Sequence, residues 1–262
     1  MKSFIKIQAF RNRWRIKMLH KIFLMLICLL ISWKPILASE ILQLRKNLQR
    51  AAPGDYLVIS SNKTDTLMHI YDKQDDILTI EEIAIPDCHK PKQLSWKKWV
   101  EQYAPGNTSW VMYEINLQTG RMIRYYSFSK NDWYAISDAD NFLSTLLNLK
   151  LSPIPQEARK KIGPKPNSGP DWRPVWQPRM IVNGSIIKGV RFNAWRTRWP
   201  KDGSELSGKM IEIYLPVDNQ QYPSYFPYWL QVNGVIGKAK IRIIDSGTQL
   251  ISPKSPLPVL NP

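Results

Sequence analysis

Few residues in this chain have the types and spacing for chemistry, and each has an ordinary role competing with it. Gly203-Ser204-Glu205-Leu206-Ser207-Gly208-Lys209 fits the GxxxxGK spacing of a phosphate-binding loop. Met210 then stands where such a loop carries a magnesium-binding Ser or Thr, and 210–215 alternates like a strand instead of opening a helix. The stretch therefore reads as a turn between strands, not a nucleotide site. Cys88 and His69 offer a thiol and an imidazole, but Cys88 adjoins His89, whose side chain diverges from it in extended chain. A Cys–His nucleophile would need His69 to reach Cys88 through the fold. Glu81, Glu82 and Glu114 lie on strand-like runs where a glycosidase pair is conceivable, yet nothing marks one as acid and another as base. No ligand spacing suits a metal. No catalytic residue, metal or cofactor is assigned.

The remaining chemistry is that of binding. In 195-WRTRW-199, strand alternation puts Trp195, Thr197 and Trp199 on one face and Arg196 and Arg198 on the other. A half-buried sheet, aromatic inside and basic outside, explains this pattern. So do arginines that meet an anionic group beside indoles bordering a lipidic or ring-bearing ligand. Trp110, Tyr113, Tyr125, Trp195, Trp199, Tyr228 and Leu230 are the candidate lining of an apolar ligand site, with Arg196 and Arg198 as its anion contacts.

The elements that must position them follow from hydrophobic period and turn residues. Residues 40–50 space Ile41, Leu44 and Leu48 on one face of a short helix. The runs 55–61, 66–72 and 77–85 predict an antiparallel meander. Ser95 caps a helix over 96–103. The runs 109–117 and 121–128 make a hairpin around Gln118-Thr119-Gly120. A helix over 138–150, capped by Ser137 or Asp138, and a third over 155–162 follow. Residues 163–178 contain five prolines and two tryptophans, Trp172 and Trp176, and form an ordered extended insert. Asn183-Gly184 turns 179–182 into a strand over 185–199. Strands over 209–216, 227–232 and 238–245 complete a second meander. The fold class is α+β: an antiparallel, strongly curved sheet or incomplete barrel covered by two or three helices.

The ends set the compartment. A basic leader precedes the apolar run Ile22–Ser32, and Ala38 offers a cleavage site, so 1–38 reads as a secretory signal peptide, with Met1 or Met18 as its start. The run is too short for a comfortable membrane anchor. The expected product is an exported protein, periplasmic or secreted, with one α+β domain over 39–251 and a Pro-rich tail over 252–262. Removing the leader takes eight basic residues and no acids, so the net charge falls from +16 to about +8. That balance suits an anionic membrane surface or envelope polymer. Export and the lack of nucleic-acid motifs exclude nucleic acid. Cys88 is then the sole cysteine, so no intramolecular disulfide builds the fold.

The segments 109–128 and 226–245, with the order helix, meander, hairpin, helices, meander, resemble the periplasmic lipoprotein-carrier (Lol-type) superfamily. That resemblance implies an incomplete barrel holding acyl chains in an apolar cavity. The Pro/Trp-rich insert departs from the family pattern. The chain also looks like uncharacterised exported proteins of intracellular Gram-negative bacteria, a likeness that implies no activity. The expected function is an envelope protein binding an acyl or lipidic ligand, with a basic surface toward anionic partners. The alternative is a non-catalytic protein that docks a partner through exposed aromatics and the 163–178 insert.

Overall fold

Asn62 and Lys63 both adopt positive φ (48° and 64°), the two-residue turn whose twist matches paired strands. They join β1 (Tyr56–Ser61) to β2 (Thr64–Gln74), and a second tight turn leads to β3 (Ile77–Pro86). The meander continues through β4 (Ser109–Asn116), β5 (Arg121–Ser127) and β6 (Asp132–Ala135). Gly120 turns the β4–β5 hairpin at φ 67°, and a Cβ there would meet the Asn148 amide at 2.7 Å. The computed structural model describes residues 41–90, 92–136, 142–217, 222–233 and 238–254, with 238 and 239 as backbone alone. The leader, the cap expected at Ser137 or Asp138, and the tail beyond 254 lie outside the described residues.

The second half begins with a two-residue strand, β7 (Ser152–Pro153), and a separate hairpin, β8 (Met180–Val182) with β9 (Ser185–Ile187). Its turn, Asn183-Gly184, has both residues at positive φ, as expected. Four longer strands follow: β10 (Phe192–Arg198), β11 (Met210–Pro216), β12 (Trp229–Asn233) and β13 (Lys238–Gly247). Each pairs antiparallel with the next.

The two meanders fuse where β1 pairs with β13, giving one open sheet in the order β6-β5-β4-β3-β2-β1-β13-β12-β11-β10-β7. At this seam Gly247 faces Tyr56, whose hydroxyl donates to Asn183 Oδ1 at 3.1 Å. A Cβ on Gly247 would lie 2.5 Å from that oxygen and 2.6 Å from the Tyr56 ring, so only glycine fits. The β8–β9 hairpin is pinned beside it: Gly184 N and Ser246 N donate to the buried Asp245 carboxylate.

The larger apolar cluster runs across both halves, joining Leu57, Ile70, Ile80 and Ile115 to Trp195, Ile211 and Ile213. It is covered by α1 (Leu44–Leu48) and α3 (Phe142–Asn148), which supply Leu44, Leu48, Leu146 and Leu147. A smaller cluster on the opposite face packs Tyr56, Val58, Leu67, Ile83 and Ile85 against α2 (Trp96–Glu101). Ser95 caps α2 as expected, accepting from Lys98 N at 3.3 Å.

Several expectations need correction. The sheet is antiparallel and open, but its helical cover is minor, with helices of five, six and seven residues. Ile41 is exposed because the chain is extended there, with Leu42 bridging Leu151. The third helix shrinks to one 3-10 turn, Gln156–Ala158, because the Lys160 carbonyl accepts from Trp176 N across the insert. Residues 185–199 are two strands in different sheets, broken at 188–191.

Asp65, on β2, carries a prediction of its own. It is buried, its Oδ1 has no partner among the described residues, and burial pushes its carboxyl above the usual range. A raised folded value means the native state holds the proton more tightly than the unfolded chain. Stability is therefore lost as pH rises from the ordinary Asp value through the raised one. Asp65→Asn should be more stable than wild type at neutral pH by about 1 kcal/mol. That advantage should vanish in urea titrations below the ordinary Asp range, where both states are protonated.

Candidate functional site

Alternation on β10–β13 builds a basic, aromatic face opposite Trp195, Ile211 and Ile213, on which Ala194 and Tyr214 are buried as part of the larger cluster. One row across the strands reads Arg196, Glu212, Gln231, Lys240, and the next reads Ala194, Tyr214, Trp229, Arg242. Arg196 and Arg198 are exposed as expected, and neither makes an ion pair among the described residues.

Over this face lies the proline-rich insert, folded back as an arm. Lys161 bridges Val175, Ile162 N donates to Pro174 O, and Trp176 N donates to Lys160 O. The Asp171 carboxylate ties the arm together, accepting from Arg173 at 2.9 Å and pairing with Lys161 at 3.3 Å. The Arg173 guanidinium, aided by Lys161, holds the Asp171 carboxyl well below its usual range.

At the base of the arm Trp176 packs edge-on to Tyr214 and Trp229, with ring centroids 5.2 and 4.9 Å away. Lys160 lies over the Trp176 ring at 4.9 Å and Lys240 near the Trp229 ring at 5.7 Å. These side chains, with Gln231 and Glu212, line a groove of about 360 Å3. Tyr214 donates to Glu212 at 2.6 Å, and burial, then that carboxylate, push its phenol above the ordinary range. Farther along the arm, Trp172 is 87% exposed, and Ile162 is exposed too. The groove offers two ammonium groups, an amide and ring faces to an anionic or ring-bearing group.

The other predicted side chains lie elsewhere. Trp195, Trp199, Tyr113, Tyr228 and Leu230 are buried in the large core, with Tyr125 half-buried and stacked on Tyr134 at 5.1 Å. Trp110 is on the opposite face, in the smaller core. Trp199 donates to Asp202 at 2.7 Å, and the Tyr228 hydroxyl lies 2.9 Å from Pro223 O and Ser246 Oγ. The structure thus gathers the two arginines onto the groove face but does not bring the seven apolar residues round one opening.

Nor do the catalytic candidates assemble. Cys88 is exposed and makes no hydrogen bond to His69. His69 Nδ1 instead donates to Glu81 Oε2 at 2.8 Å. Trp110 Nε1 at 2.8 Å and Ser252 Oγ at 2.6 Å donate to Glu81 Oε1. Glu81 is 0% exposed, and this network fixes the chain after β13 against β2–β4. Glu82 points to the other face, and Glu114 is held bidentately by Arg124 at 2.7 and 2.8 Å. Gly203–Lys209 leads into strand β11, which rules out the nucleotide loop.

Residues 66–188 match the model of the CT021 protein family. The matched stretch runs from β2 through β9 and includes the arm. The structure is also similar to the 2.0 Å structure of the hypothetical protein CT021 from Chlamydia trachomatis, with a TM-score of 0.58 at 21% identity over 85% of this chain and 98% of that one. At that identity the likeness is one of fold. No curated protein matches the sequence. Neither match is to a Lol-type carrier.

Sequence reasoning missed Lys160, Tyr214, Trp229 and Lys240. For the three strand residues the one signal was the outward parity of β11–β13, legible for Tyr214 but not for what covers it; Lys160, on the arm, had none.

Proposed function

We propose that this is an exported, non-catalytic envelope protein that docks on an anionic lipid surface through the β10–β13 outer face and the 160–176 arm. The observation that carries this reading is Trp172, 87% exposed on an arm whose backbone and ion pairs hold it in place. An exposed indole costs solubility unless something covers it, and indoles favour the boundary between water and lipid. The arm supplies four basic residues against one acid, and Arg196, Arg198, Lys240 and Arg242 add positive charge on the sheet. Close packing around Trp195, Trp199 and Tyr228 supports contact at the surface over an acyl chain held inside.

Vesicle co-sedimentation tests this. Wild type should bind phosphatidylglycerol vesicles and lose them as salt rises. Each basic contact is worth about 1 kcal/mol, so Arg196→Gln with Arg198→Gln should weaken binding about tenfold or more. Trp172→Ala should weaken it as well, with stability unchanged within about 0.5 kcal/mol in both variants. Equal binding to neutral vesicles, or no response to any substitution, would sink the proposal. Loss on Trp172→Ala of a protein complex instead of vesicle binding would favour a protein partner at the same arm.

A further inference from the structure

On the other half of the sheet, three aromatic rings from three elements converge on one ammonium group. Lys254 Nζ lies 5.6 Å from the centroid of Tyr103, 5.0 Å from Trp110 and 5.3 Å from Phe128. Tyr103 follows α2, Trp110 is on β4 and Phe128 follows β5. Among the described residues no carboxylate pairs with Lys254.

The rings are held independently of the cation. Glu81 fixes the Trp110 indole through its Nε1–H at 2.8 Å. Phe128 packs edge-on to Trp110 at 5.8 Å and to Tyr126 at 5.0 Å. Tyr103 sits at φ 61°, a conformation non-glycine residues seldom adopt, and the residue is 59% exposed. This is a strained, solvent-facing aromatic whose visible contact is the ammonium. The occupant is anchored upstream, by Leu250 in the smaller core and Ser252 on Glu81. The Lys254 side chain can therefore swing out without unseating the backbone.

We infer that Tyr103, Trp110 and Phe128 form a binding site for a quaternary ammonium group of the choline type, filled in cis by Lys254. Ring faces attract cations without hydrogen-bonding them, which favours a cation that gives up little hydration. A lysine ammonium is compact and strongly hydrated, so it is a poor match to such a cage. A trimethylammonium group carries the same charge with an apolar surface and displaces it. The site stands apart from the groove face and does not depend on the function proposed for that face.

The test uses the full chain and tetramethylammonium, followed by calorimetry and by the upfield shift of its methyl protons. Lys254→Ala, and Lys254→Gln as a second variant, should bind about tenfold tighter than wild type, the scale of a desolvated cation–π contact. The uncharged isostere of choline, with a tert-butyl group in place of trimethylammonium, should gain nothing. Adding Tyr103→Ala, at an exposed position, should remove most of the gain. Equal affinity in wild type and both Lys254 variants, or equal binding of choline and its isostere, overturns the inference. Choline against phosphatidylcholine vesicles distinguishes the sources: vesicle binding gained by Lys254→Ala indicates a lipid headgroup, and saturation by choline without it a free ligand.

Discussion

Glu81→Leu is expected to destabilise the protein by about 3–5 kcal/mol, the scale for breaking a buried hydrogen-bond network. Three donors now converge on this carboxylate: His69 Nδ1, Trp110 Nε1 and Ser252 Oγ. Leucine leaves all three inside the protein without an acceptor, and each orphaned group costs about 1–3 kcal/mol. His69 already carries one unpartnered nitrogen among the described residues, its Nε2, so the imidazole would be left without any hydrogen bond. The loss should appear as a fall of about 1–2 M in the urea midpoint. Protease cleavage after β13 should also become faster, because Ser252 is freed with its segment. A variant as stable as wild type would show that the network contributes nothing net.

The second large effect is expected from Trp195→Ala, at about 3–5 kcal/mol. Trp195 is 7% exposed, between Ile213 on β11 and Pro153 on β7. Its removal opens a cavity in the large cluster that the rigid β10–β11 ladder cannot close. Denaturant titration beside Trp172→Ala makes the comparison direct, since both delete an indole and only one should matter. Equal and small effects would mean that the sheet collapses into the space.

The sequence made much of this sheet legible, and the reasons are local. Trp195 and Trp199 inward with Arg196 and Arg198 outward follows from period two alone, and the register Trp195↔Ile213 and Arg196↔Glu212 agrees with it. Asn183-Gly184 named its own turn. The strands β6 and β7 escaped because four and two residues carry no period, and their neighbours supply the pairing. The 155–162 helix failed because the arm claims the backbone of Lys160–Ile162. Glu81, Trp110 and Ser252 escaped as a group because no spacing links residues that meet only after β2, β3, β4 and the segment following β13 are in place. The Tyr103–Trp110–Phe128 cage was invisible for the same reason.

The seam between the meanders has a kinetic consequence. Tyr56 and Gly247 are partners across β1 and β13, so the central ladder joins nearly the first described strand to the last. Closing so long a loop costs about 4–5 kcal/mol of chain entropy, whereas neighbouring strands within either meander are joined by far shorter connections, from the two-residue turn between β1 and β2 to the stretch between Pro86 and Ser109. The two halves can therefore zip separately and early, with their union the slow step. Until β13 arrives, β1 is an unpaired edge rich in apolar side chains, open to mispairing with another chain. The register shift between Val58 and Ile59 makes that edge selective, because a regular strand cannot follow it and β13 is built to match the irregularity.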